Sequence, residues 1–276
     1  MKKTTLRNVA ALGLVSIVSM TACSPSPKPT ANAATGNNVL QSVLERGKLR
    51  VADCLSFAPF GYTNEAGKPE GYDIDIANEM AKELGVDLEV VDTTSANRIP
   101  NLKTDKVDVV ICNFTRNGER QKEIDFTDPY VVATQSLLVK SDSGINDVAG
   151  MTGKTVATVK GSTNGDAVTS VNPKAKVQQF DSASAAILAV QQGQADAMVE
   201  DSNYLAYQVK LDPKLKVTND ALVPLEYNAF GVKQGEQTWL NWLNGFLFRL
   251  NASGKNVELY EKWFGSKPRF PLNPTY

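Results

Sequence analysis

From Val39 onward, short apolar runs alternate with amphipathic stretches of helical length, in two successive series, and this alternation limits the fold more than any other feature. In the first series GKLRVADCL (47–55), DLEVVDT (87–93) and KVDVVICN (106–113) read as strands. Between them GKPEGYDIDIANEMAKELGV (67–86) reads as a turn, a strand-like GYDID and a helix, and SANRIPNLKTD as a further helix. Ile76, Met80 and Leu84 recur at i, i+4 and i+8 and predict one buried stripe, which Gly85 closes at the C-cap position. In the second series the strands are TVATVK (155–160), AKVQQF and ADAMVED (195–201), separated by the helices STNGDAVTSV and SASAAILAVQQG. Strands alternating with helices imply right-handed crossovers and a mainly parallel sheet flanked by helices, here twice over. The last stretch, TWLNWLNGFLFRLNASGKNVELYEKWFG, predicts two helices broken at NASG, with Trp239, Trp242, Leu243, Phe246 and Leu250 facing the core.

The first 22 residues hold Lys2, Lys3 and Arg7, then the apolar run AALGLVSIVSM, then TAC: the charge, core and small-residue order of a secretory signal. The run is too short for a permanent membrane-spanning helix. MTAC resembles the lipobox of a bacterial lipoprotein, which implies cleavage before Cys23 and a lipid anchor on it, although Met20 stands where Leu is usual. Residues 23–38 are rich in Pro, Ser, Ala and Asn, cannot bury enough apolar surface to fold, and read as a flexible tether.

Beyond residue 22 the chain carries 26 Lys plus Arg against 30 Asp plus Glu, a net charge of −4, which argues against a nucleic-acid partner. The chain contains no histidine, which excludes a Ser-His-Asp or Cys-His triad and any histidine-containing metal site. No metal and no cofactor is expected.

Ligands of open α/β sheets bind beyond the carboxyl ends of the strands, so the polar residues closing those strands are the ones to inspect. They are Cys54 to Phe57, Asn113 to Arg120, Gly161 to Thr163, and Asp201. Around them GYDIDIANEMAKELGV, NRIPNLKTDKVDVVI, TRNGERQKEIDFTDPY, KGSTNGD, ADAMVEDSNY and ELYEKWFG resemble, in this order, the motifs of extracellular solute-binding protein family 3, the polar-amino-acid-binding proteins of ABC importers. The resemblance implies a two-lobed periplasmic-binding-protein type II fold with a two-strand hinge near Val131 to Thr134 and Glu226 to Phe230. Lobe 1 would comprise 39–131 plus 227–276, and lobe 2 would comprise 132–226. It also implies a monomer in the periplasm or on the outer face of the cytoplasmic membrane, with a free amino acid as ligand, importer permease subunits as partners, and contact with the membrane only through the lipid anchor.

Residue by residue, the resemblance gives Arg120 the ligand carboxylate, for which a guanidinium fork is chemically suited, and Asp201 the ammonium. Thr115 offers a hydroxyl and an amide, Asn113 a backbone carbonyl, and Thr163, with Ser162, an amide at a helix N-terminus. Glu200, beside Asp201, should point the opposite way by strand alternation. Phe57 matches an aromatic that covers the ligand, and Ser95 stands where some basic-amino-acid binders carry a second aromatic. Cys54 stands where those binders carry an Asp, so a cationic side chain would lack a partner. Arg98 resembles the arginine that takes the side-chain carboxylate in glutamate and aspartate binders. Acidic ligands are therefore expected first, and glutamine or cystine and cysteine next. Cys54 and Cys112 end strands adjacent in the usual 2-1-3 order and are either a disulfide or two buried thiols. The alternative to a binding module is a dehydratase on the same scaffold, resembling cyclohexadienyl dehydratase, with Glu200, Lys160 or Asp201 as proton donor. A sensory role would share the site and differ in its partner.

Overall fold

The computed structural model describes residues 38–272, without the side chains of 219 and 220. The signal, most of the tether and Cys23 lie outside the described residues. Among these residues no helix is long and apolar enough to cross a membrane.

The chain begins with α1 (Val39–Arg46), capped by the Asn38 side chain, and β1 (Lys48–Asp53). A small antiparallel sheet follows: β2 (Ser56–Phe57), β3 (Gly61–Thr63) and β4 (Pro69–Glu70). Next come α2 (Tyr72–Leu84), β5 (Asp87–Asp92), α3 (Arg98–Lys103), β6 (Val109–Val110) and β7 (Ile124–Ala133). The second series runs β8 (Gln135–Lys140), β9 (Thr155–Val159), α4 (Asn164–Val171), β10 (Lys176–Phe180), α5 (Ala183–Gln192), β11 (Ala197–Asp201), α6 (Ser202–Leu211) and β12 (Leu215–Ala221). Finally β13 (Glu226–Lys233) leads into α7 (Gln237–Ala252) and α8 (Lys255–Phe264).

The expected two-lobed α/β architecture is present as two five-stranded sheets, ordered β5-β1-β6-β13-β7 and β10-β9-β11-β8-β12. In each sheet four strands share one direction, and the reversed strand, β13 or β8, is one that leads in from the other sheet. The chain crosses once at Thr134 and again just before Glu226, where β7 and β13 pair through Ala133↔Glu226, Val132↔Tyr227 and Val131↔Asn228. A two-stranded ribbon bends more readily than a packed sheet, as a hinge requires.

Two local expectations are corrected. GYDID is not strand-like: Tyr72 begins α2, and Tyr72, Asp73, Ile74, Ile76, Ala77 and Met80 are all buried. Five residues of alternating polarity fit a strand and a helix turn equally, and here Gly71 decides. At φ 137° it has Phe60 O where a Cβ would stand, so the chain must turn there. The run 106–113 is likewise not strand throughout, because β6 covers only Val109–Val110 and the chain leaves the sheet before Cys112. Of the C-terminal apolar face, Trp239, Leu243, Phe246 and Leu250 are buried, while Trp242 stacks on Trp239 from the rim.

Candidate functional site

Both sheets point the carboxyl ends of their parallel strands at the gap beneath the crossing strands, so the loops after β1, β6, β9 and β11 meet there. All ten ligand-binding residues named from the sequence line one cavity: Cys54, Phe57, Ser95, Arg98, Asn113, Thr115, Arg120, Ser162, Thr163 and Asp201. The atom-free space along its walls amounts to about 500 Å³, open solvent at the mouth included.

Cys54 and Cys112 are joined in a disulfide, with Cα atoms 5.1 Å apart, and form part of the cavity wall. Asn113 follows in a left-handed conformation, φ 41°, which Asn tolerates better than most residues. This twist sends its side chain across the cleft: Nδ2 donates to Asp201 Oδ2 at 3.1 Å, while Oδ1 accepts from Asn228 Nδ2 at 2.6 Å. Its backbone N–H donates to the buried Asp73 carboxylate at 3.3 Å.

Arg120 reaches the cleft from a short 3-10 turn. Its Nη1 donates to Thr115 O at 2.6 Å and its Nη2 to Gly161 O at 3.1 Å. Burial lowers its pKa to about 10, against the opposing pull of Glu226 and Asp201, so it remains a cation at neutral pH. Arg98 is 3% exposed and more heavily committed. Its Nε donates to Ser95 O, Nη1 to Cys112 O and Asn113 O, and Nη2 to Gly161 O, all within 3.2 Å. Phe114 lies beneath both guanidinium groups, 4.1 Å from Arg98 Cζ and 4.9 Å from Arg120 Cζ at its ring centroid.

Gly161 is thus where both arginines meet the second sheet. Its φ is 80°, and a Cβ there would lie 2.6 Å from Ala96 Cα, so only glycine lets the two loops touch. Thr163 is the N-cap of α4, but its hydroxyl does not cap the helix. It donates instead to Glu226 Oε1 at 3.1 Å and accepts from Gln135 Nε2 at 2.7 Å.

Asp201, at the end of β11, accepts from Asn228 at 2.8 Å as well as from Asn113. Burial pushes its pKa up to about 7, and Glu226 adds to the rise, against these two amide bonds. Glu200 does not point away as strand alternation predicts; it lines the same cavity. The sheet stops here, and the longer Glu side chain folds forward until Oε1 accepts the Asp201 N–H at 3.0 Å. Burial, and next the neighbouring Asp201, raise the Glu200 pKa to about 8. Phe57 stacks on Tyr204 of α6, centroids 4.2 Å apart and planes 6° apart, so one face of the aromatic expected over the ligand is spent on joining the two halves.

Gln135 and Tyr204 were not singled out in the sequence, and Glu226 and Asn228 entered only as part of the hinge crossing 226–230. For Gln135, Glu226 and Asn228 the one signal was polarity inside apolar strands at the crossings, in TQSLLVK and EYNAFGV. Among the described residues no group of three or more His, Cys, Asp or Glu side chains could hold a metal ion.

Two α/β halves joined by paired strands, with arginines on one side and carboxylates on the other of a closed cleft, define a two-lobed solute-binding protein. The chain belongs to the bacterial extracellular solute-binding proteins, family 3, whose pattern matches residues 49–266. This is the family that the motif series resembles, and it carries the protein's work outside the cytoplasm. A glutamine-binding protein of Geobacillus stearothermophilus is 36% identical over 239 residues, 82% of this chain and 91% of that protein. Among solved structures, a mutant of ArgBP from T. maritima is 36% identical with a TM-score of 0.78, covering 83% of this chain and 100% of that one. The ancestral amino acid-binding protein AncCDT-1, a precursor of cyclohexadienyl dehydratase, is 38% identical with a TM-score of 0.77, covering 82% of this chain and 99% of that one.

Proposed function

We propose that the protein is the substrate-binding component of an ABC importer for a polar L-amino acid with a neutral side chain, glutamine first. The carrying observation is that Arg120 and Asp201, one from each half, face one cavity. A zwitterionic amino acid would bridge them, its carboxylate on the guanidinium and its ammonium on Asp201. The ligand then makes its full set of contacts only when the halves meet, so its binding energy favours the closed form. In this reading residues 39–131 with 227–276 move against 132–226.

Two points turn the ligand class from acidic to neutral. Four of the five Arg98 N–H donors already serve backbone carbonyls, leaving one for a side-chain carboxylate. The glutamine-binding relative points the same way. Glutamate and aspartate therefore stand behind glutamine, and the Cys54 position still disfavours a cationic ligand. The lipid anchor on Cys23, the permease partner and the monomeric state belong to the same proposal. Equilibrium binding of labelled glutamine to the ligand-stripped protein tests it: one saturable site per chain is expected, and no saturable binding rejects it.

One observation favours a second reading. Glu200, a buried carboxyl with a pKa near 8, could donate a proton in a dehydratase, and AncCDT-1 is a precursor of such an enzyme. Phenylpyruvate or phenylalanine formed from prephenate or arogenate would establish that activity, and no product would exclude it.

A further inference from the structure

Once Arg120 and Asp201 are assigned to the two ends of a zwitterion, the cavity retains one buried carboxyl group, Asp181 being exposed, whose role neither the motif series nor the proposed contacts supply. Glu200 is 5% exposed and lines the cavity. Oε1 accepts the Asp201 backbone N–H, and among the described residues no side chain donates a hydrogen bond to either oxygen. A buried carboxyl held by a single backbone N–H keeps acceptor capacity to spare, and a ligand donor in reach would offset part of its burial cost.

We infer that Glu200 is the residue that sets side-chain specificity: it admits a side chain that donates a hydrogen bond and rejects one that carries a second negative charge. This rests on the amino-acid reading of the cleft and deepens it. Arg98 has a single N–H to spare and lines the same cavity as Glu200, so a ligand carboxylate there would gain at most one donor and meet Glu200. A carboxamide in the same place donates its NH₂ to Glu200 and turns its carbonyl to that N–H, satisfying both. Discriminations of this kind are large because the wrong ligand leaves a buried polar group unpaired.

The groups that act on Glu200 are Asp201 on its own strand, Glu226 from β13, Arg98 from α3 and Tyr204 from α6, with Arg120 and Asp181 also lining the cavity. The two acids beside it oppose its ionisation and Arg98 favours it. Protonated Glu200 can donate to a ligand carboxylate, whereas the ionised form repels it. Rejection of acidic side chains should therefore strengthen as pH rises through about 8, while glutamine affinity changes much less.

Titration calorimetry on the refolded, ligand-free full chain tests this, with glutamine and glutamate from pH 6 to pH 9. The ratio of glutamate to glutamine dissociation constants is expected to rise at least tenfold across that range. In Glu200→Gln the ratio is expected to be flat with pH and at least tenfold lower than wild type at pH 9. A wild-type ratio that stays constant with pH overturns the inference without any variant, so a misfolded Glu200→Gln cannot shelter it. Glutamine binding with an unchanged ratio in Glu200→Gln overturns it while leaving the amino-acid reading intact. Failure of the wild type to bind any amino acid overturns both.

Discussion

The Asn113 side-chain amide, at the end of the first sheet, donates across the cleft to the Asp201 carboxylate of the second sheet at 3.1 Å. A hydrogen bond to a charged or partly charged partner contributes about 1.5 to 3 kcal/mol, so this contact holds the halves together apart from any ligand. Asn113→Gly keeps the left-handed backbone and removes the bridge. Its unfolding free energy should fall by about 1.5 to 3 kcal/mol, while small-angle scattering of the ligand-free protein should show a larger radius of gyration.

Arg120→Ala removes the guanidinium that faces the cavity beside Asp201. Loss of one partner of a buried charge pair costs about 2 to 5 kcal/mol, so ligand affinity should fall at least 30-fold. The ligand-free melting temperature should hold within a few degrees, because Arg120 donates only to backbone carbonyls at the cleft.

Gly161→Ala should hinder closure. The new Cβ would meet the Ala96 backbone at 2.6 Å and would impose a left-handed φ, a strain of about 1 to 2 kcal/mol. Weaker ligand binding with little loss of global stability is the expected outcome in parallel calorimetric and thermal measurements. Unchanged affinity would mean that these loops do not meet in the bound state.

The disulfide closes a loop between residues 58 apart in sequence. The chain-entropy relation gives about 4 kcal/mol for such a loop. Cys54→Ser with Cys112→Ser should lower the denaturant midpoint accordingly. It should also weaken ligand binding, because Cys112 O and Asn113 O hold Arg98.

Binding should release protons near neutrality. Asp201 is raised to about 7 and Glu200 to about 8 by burial in the closed cleft. A group raised above its unfolded value stabilises the closed protein below that value, and this stabilisation is lost as pH rises through the folded one. The ligand-free protein should therefore lose stability from about pH 4.5 to pH 8. A bound ammonium favours ionised Asp201, so up to about half a proton should leave on binding at pH 7. Titration in buffers of different ionisation enthalpy measures that number.

Much of the fold was legible in the sequence because its signals are local. The α2 stripe of Ile76 and Met80 and the Gly85 cap follow from periodicity, whereas the neighbouring positions of Cys54 and Cys112 follow from the strand order that the family resemblance implies. The site was legible where it lies on loops that close parallel strands. It was not legible where it lies on the crossing strands, because Asn228, Gln135 and Glu226 meet the cleft only once β7, β8 and β13 have paired across long sequence separations. Glu200 was misread because alternation presumes a strand that continues, and β11 ends one residue later. GYDID was misread because the decisive contact, Phe60 O against Gly71, belongs to tertiary structure.

The central claim is that Arg120 and Asp201 together bind the two charged ends of one amino acid. Thermal unfolding of the ligand-stripped protein against all twenty amino acids and cystine tests it most directly. A ligand that binds only the folded state, at a hundred times its dissociation constant, adds about 2.7 kcal/mol. Glutamine should give the largest rise in midpoint, and Arg120→Ala should abolish it. A panel in which no amino acid moves the midpoint, or a glutamine shift that survives Arg120→Ala, would contradict it.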